Sequence, residues 1–131
     1  MRILAALVAA LAAGTPGMAQ DVAAGAALFQ HHCAMCHGAG ARGDGPMAPD
    51  LVPQPSDLAT MAARNGGVFP MVRAAMRIDG RETLVSHGSP MPIYGGFLVG
   101  GDVILRAETG QPLLLQVPLA DLIAYLQSVQ E

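Results

Sequence analysis

The chain contains no lysine and no tryptophan, and its 131 residues hold only three phenylalanines and two tyrosines. Every cationic side chain is arginine, seven in all against ten acidic residues, and the formal charge at pH 7 is −3. Nucleic-acid binding needs a basic face, which this balance denies. An anionic membrane surface is disfavoured for the same reason. The longest apolar run, Ile3 to Ala13, falls short of the about 20 residues that cross a bilayer. No pattern for a nucleophile triad, a carboxylate pair or a nucleotide-binding loop is present. Few aromatics in so short a chain leave limited apolar surface for a core.

What is present begins with Met1-Arg2, the apolar run, and small residues ending in Gly17-Met18-Ala19. A charged start, an apolar centre and a small-x-small site read as a secretory signal peptide. The expected organisation is therefore a signal over residues 1–19, cleaved after Ala19, and one domain over 20–131. An uncleaved N-terminal anchor is the alternative. The domain would carry six arginines and ten acidic residues, a charge of −4, which steers it toward positively charged partner surfaces. Two cysteines in an exported protein could form a disulfide, but their spacing points elsewhere.

Helical spacing of Val22, Ala26, Phe29 and Cys33 predicts a helix over 21–36, with Asp21 as N-cap or first-turn acid. Glycine and proline crowd residues 38–55, which reads as a long loop. Ser56 is placed to cap a short helix through about Arg64, stopped by Asn65-Gly66-Gly67. Pro70 suits the first position of a helix to about Ile78, ending near Gly80. Residues 85–101 read as a second loop. Val103-Ile104-Leu105 and Leu113-Leu114-Leu115 flank Glu108-Thr109-Gly110 and suggest a β-hairpin at about 102–116. Pro118 opens the last helix, with Asp121 in its first turn. The fold class is mainly α, with short helices and long loops. Loops longer than about 12–15 residues need an organiser, and a large internal cofactor would serve.

Cys33-Ala34-Met35-Cys36-His37 is a C-x-x-C-H motif, the attachment signature of c-type haem. Two thiols three residues apart at a helix end can each reach one vinyl group of one porphyrin, and the next residue sets an imidazole at the iron. A redox dithiol or half a zinc site are the competing readings. Zinc would draw its further ligands from His31, His32 and His87. The dithiol reading lacks its βαβ setting.

Beyond the motif, the chain resembles the class I bacterial cytochromes c over nearly all of residues 20–131. Gly25 and Phe29, eight and four residues before Cys33, match the family's glycine and aromatic at the crossing of its first and last helices. Leu122 and Tyr125 match the apolar and aromatic pair on that last helix. The Gly43-Asp44-Gly45-Pro46 loop is similar to the family's glycine-proline turn. The resemblance implies the cytochrome c fold around one covalent haem c, with His37 as proximal iron ligand. It also implies a backbone carbonyl at Pro46, or Pro49 next in line, as hydrogen-bond acceptor for that histidine. Met91, in Ser89-Pro90-Met91-Pro92 and followed by Ile93-Tyr94-Gly95, corresponds to the family's Met-Pro distal loop. The prolines stiffen it.

His87 is the rival distal ligand. Bis-histidine ligation would give a lower potential than His/Met. Met61, Met71 and Met76 read as core filler, and His31 and His32 as residues of the exposed helix face. The family's tryptophan near the propionates is lacking, with Tyr94, Arg77 or Arg81 as replacements. The expected function is that of a periplasmic electron carrier, or the cytochrome subunit of an oxidoreductase, and not an enzyme by itself. It would serve redox partner proteins whose identity the sequence leaves open, with no nucleic-acid partner and no strong membrane binding after signal removal. A haem enzyme or gas sensor with an open distal site is the alternative. Residues 93–117 exceed the family's minimal pattern, and partner docking is the hypothesis for them.

Overall fold

The computed structural model describes residues 20–82 and 90–131. The expected signal segment, His87 and Ser89 lie outside the described residues. Helix α1 spans Val22–His32, and a one-turn helix α2, Ala34–His37, follows directly. Short 3-10 turns occupy Ala48–Asp50 and Ala63–Asn65, and α3 spans Met71–Asp79. Strands β1 (Asp102–Arg106) and β2 (Pro112–Gln116) form an antiparallel hairpin, and α4, Val117–Ser128, continues from β2. The mainly helical class and the hairpin are as expected from sequence.

Crossing of α1 over α4 forms the centre of the molecule. A Cβ on Gly25 would lie 2.0 Å from the Asp121 carbonyl oxygen, so only glycine permits this approach. Phe29 and Tyr125 pack with ring centroids 5.1 Å apart, a pairing worth about 0.5–1.5 kcal/mol beyond burial. Phe29, Leu122 and Ile123 are fully buried.

Asp21 caps α1 as expected, its carboxylate accepting from Ala24 N at 2.9 Å. Asp121, expected in the first turn of α4, lies beyond it. Helix α4 begins at Val117 and has no first-turn acid. The buried Asp121 carboxylate instead accepts the Asp21 backbone N–H at 2.8 Å, so each aspartate serves the start of α1.

The helix expected over 56–64 does not form as such; turns lead into the 3-10 turn Ala63–Asn65. The reason is tertiary. Leu58 N and Ala59 N both donate to Ala41 O, and Glu131 N donates to Ala59 O. Ala62 N donates to the Gln130 side chain. With Ala59 O and Ala62 N engaged by the C-terminal residues, the ladder is reduced to the i to i−4 bond from Arg64 N to Thr60 O. Helix α3 begins one residue later than expected, with Pro70 at its N-cap, and ends at Gly80 in the left-handed region.

The hairpin buries Leu113 and Leu115 and half-buries Val103 and Leu105. Their neighbours Ile104 and Leu114, paired across the strands, face outward. This alternation is the period of two expected of a strand. The Glu108 carboxylate, in the connecting turn, accepts Val72 N in the first turn of α3 at 3.2–3.3 Å. The hairpin thus supplies a cap that Pro70 cannot.

Candidate haem-binding site

Cys33 stands at the joint between α1 and α2. Its N–H donates to Phe29 O at 2.8 Å, while its carbonyl accepts from His37 N at 2.8 Å and Cys36 N at 3.1 Å. One residue therefore closes α1 and opens α2. The two cysteines are half-buried free thiols. Both, with His37, line a cavity of about 420 Å³. Its wall also draws on the 51–61 stretch, on α3 through Arg73, Ala74, Arg77 and Ile78, on Pro90, Met91, Pro92 and Tyr94, and on Leu122 and Leu126 of α4.

Burial, with the neighbouring Cys36, pushes the Cys33 thiol up to about 11. A redox dithiol works by the opposite shift, toward thiolate at neutral pH. Among the described residues, no three histidine, cysteine or acidic side chains come together as a metal cluster. The zinc grouping of Cys33, Cys36, His31 and His32 is therefore not assembled. Two thiols and an imidazole on the wall of one largely apolar cavity fit a covalently tethered porphyrin.

The His37 ring makes its hydrogen bond through Nδ1 to Ser56 O at 3.0 Å. A carbonyl can only accept, so Nδ1 carries the proton, and the neutral ring keeps its lone pair on Nε2. Burial lowers the pKa of His37, with the Ser56 bond opposing, and the neutral form is favoured. The acceptor expected at Pro46, or at Pro49, is thus Ser56. The 43–47 turn is used differently: Gly45 N donates to Cys36 O and Met47 N to Met35 O, which ties the turn to the α2 backbone and leaves Pro46 exposed. Ser56 O reaches the ring on a segment held in place by the bonds of Leu58 N and Ala59 N to Ala41 O. A backbone carbonyl has no side-chain signature, so no sequence signal marks Ser56.

Of the methionines, Met91 and Met61 line the cavity. Met61, core filler by its helical spacing, does pack against the core as well. Met71 is buried elsewhere in the core, and Met35 and Met47 are exposed. His31 is exposed as expected, but His32 is half-buried and lines the cavity. Its ring packs 5.7 Å from Tyr94 and 6.5 Å from Phe97.

Tyr94 lines the cavity, and its hydroxyl donates to His32 O at 2.9 Å. Burial, then Cys33 and Cys36, raises its pKa, and the phenol stays a protonated donor. Arg81 turns away to Asp79, 2.6 Å distant, and lies outside this cavity. Arg77 does line it, paired with Glu82 at 2.8 Å, together with Arg64 and Arg73, which the sequence reading did not single out. These guanidiniums suit the two carboxylates of a haem.

No curated protein and no solved structure matches the chain. The family model of cytochrome c matches residues 22–95, a span that contains the attachment motif, the cavity-lining face of α3 and the Met91 loop. The chain therefore belongs to the cytochrome c family, and Cys33 and Cys36 are the positions at which it holds haem c covalently.

Proposed function

We propose that the protein is an exported, periplasmic one-electron carrier, free or as the cytochrome subunit of an oxidoreductase, with His37 and Met91 as the axial ligands. One observation supports this above the rest: Met91, between two prolines, lines the same cavity as Cys33, Cys36 and His37. When bound, the haem supplies an Fe(III)/Fe(II) couple. His37 offers a neutral Nε2 fixed by the Ser56 carbonyl. Pro90 and Pro92 restrict the loop and reduce the entropy lost in holding a thioether in place. A filled distal position blocks substrate or gas and favours electron transfer over reactivity.

Met61 is the weaker candidate for that position. It lies five residues from Ser56, on the segment whose carbonyl holds His37, and lacks the flanking prolines of Met91. Among the described residues, no helix is long and apolar enough to cross a membrane.

The test is the absorption spectrum of the haem-matured protein, oxidised and reduced, with carbon monoxide added to the reduced form. Low-spin bands are expected, with a far-red sulfur-to-iron band and no response to carbon monoxide. The far-red band should vanish in Met91→Ala and persist in Met61→Ala. A high-spin spectrum, or fast carbon monoxide binding by the unaltered protein, would mean an open iron and a sensor or enzyme instead.

A further inference from the structure

Tyr94 is three residues beyond Met91, yet its side chain spans to the other end of the haem-binding sequence. Its hydroxyl donates at 2.9 Å to the carbonyl of His32, the residue immediately before the first attachment cysteine. Carbonyls in the last turn of a helix lack intrahelical partners and are open to such a donor. The backbone of Tyr94 is held as well, with its N–H on Ile78 O at 2.8 Å, and its carbonyl accepts from Phe97 N and Leu98 N.

Close approach to α3 is built in beside it. A Cβ on Gly95 would lie 2.6 Å from Asp79 O, and one on Gly80 would lie 2.5 Å from the Ile93 side chain. The rings of His32, Tyr94 and Phe97 pack at tilted angles into one cluster, with Tyr94 and Phe97 6.2 Å apart. The chain leaving Met91 is thus anchored to α3 by its backbone and to the end of α1 by one phenol.

We infer that Tyr94 is a positioning residue, a clasp that joins the Met91 loop to the haem-attachment segment and holds the distal side shut. This rests on Met91 being the distal ligand. For an external ligand to reach the iron, Met91 must leave and its loop must swing outward. The hydroxyl-to-carbonyl bond is a tie that links this loop directly to the segment carrying the porphyrin. Breaking it raises the population of the open loop. The ring, its packing and the backbone anchors remain.

Imidazole binding to the ferric, haem-matured protein reads that population. In Tyr94→Phe, the imidazole affinity is expected to rise about fivefold, the scale of one hydrogen bond. Ile123→Val, a fully buried core change away from the cavity, controls for general loosening and is expected to leave imidazole affinity unchanged while lowering the denaturant midpoint. An unchanged affinity in Tyr94→Phe overturns the clasp. So does an equal rise in Ile123→Val at matched loss of stability.

Should Tyr94→Phe fail to mature, fluorotyrosine placed in the Tyr125→Phe chain gives the opposite arm. A more acidic phenol donates more strongly, so imidazole should bind more weakly than in the same chain with ordinary tyrosine; equal binding rejects the clasp. The ligand reading is judged separately, by whether Met91→Ala abolishes the far-red band. If that band survives in Met91→Ala, the ligand assignment fails on its own account.

Discussion

A histidine can bond iron only through an unprotonated nitrogen, and in this chain a backbone carbonyl secures that state. Ser56 O fixes the proton on Nδ1 of His37, and burial lowers the ring's pKa from its ordinary 6.5. The folded protein then takes up this proton at lower pH than the unfolded chain does. The resulting stability is fully present above about pH 6.5 and is lost as pH falls through the folded-state value. Iron coordination acts in the same direction. The low-spin bands of the haem-matured protein are expected to persist at pH 6.5 and to convert only at clearly lower pH. Conversion already complete near pH 6.5, followed by absorption, would show that the ring is not so held. The motif named His37 from the sequence. Its partner was not legible, because every residue has a carbonyl and only the path of the chain selects one.

Among the elements, the α1/α4 crossing is the one that sequence described best. Gly25, Phe29, Leu122 and Tyr125 were identified by position, and the structure places them together. In Gly25→Ala, the new methyl meets backbone, which cannot turn aside as a side chain could. We expect a loss of at least about 3 kcal/mol, at the upper end of overpacking costs, seen as a lower denaturant midpoint or as failure to accumulate haem-matured protein. A stability within about 0.5 kcal/mol of wild type would mean that the helices separate freely.

No structural role for the hairpin follows from the sequence. The structure gives it one, since Glu108 caps α3 and α3 lines the haem cavity. Glu108→Ala should cost about 0.5 kcal/mol, typical of an exposed carboxylate at a helix start, with an unchanged denaturant slope. No shift in midpoint would leave the hairpin without this bracing function. The helix expected at 56–64 shows the limit of local reading. Ser56 has the residue type of a cap, but bonds to Ala41, Gln130 and Glu131 claim the backbone that follows. None of those partners is near in sequence.

At the scale of the whole molecule, charge is the property that composition carries without help from the fold. Ten carboxylates exceed seven arginines, and haem propionates add to the deficit. Long-range steering should therefore favour cationic partners and weaken with salt. In stopped flow, oxidation of the reduced protein by a small cationic metal complex should slow as ionic strength rises from 10 to 150 mM, by about two- to fivefold, while an anionic oxidant should speed up. The reverse pattern would show that Arg64, Arg73 and Arg77 at the cavity govern encounter in place of the net charge.

By itself the sequence determined the chemistry that is local to the chain. Thiol spacing fixed the mode of haem attachment, periodicity fixed the long helices and the hairpin, and charge balance fixed the sign of the field. Only the tertiary structure decided which carbonyl holds His37, which methionines reach the cavity, and that Tyr94 ties the distal loop to α1. Those choices depend on groups brought together from 19 and 62 residues apart. Spacing along the chain carries no information about contacts that the packing of α1, α3 and α4 creates.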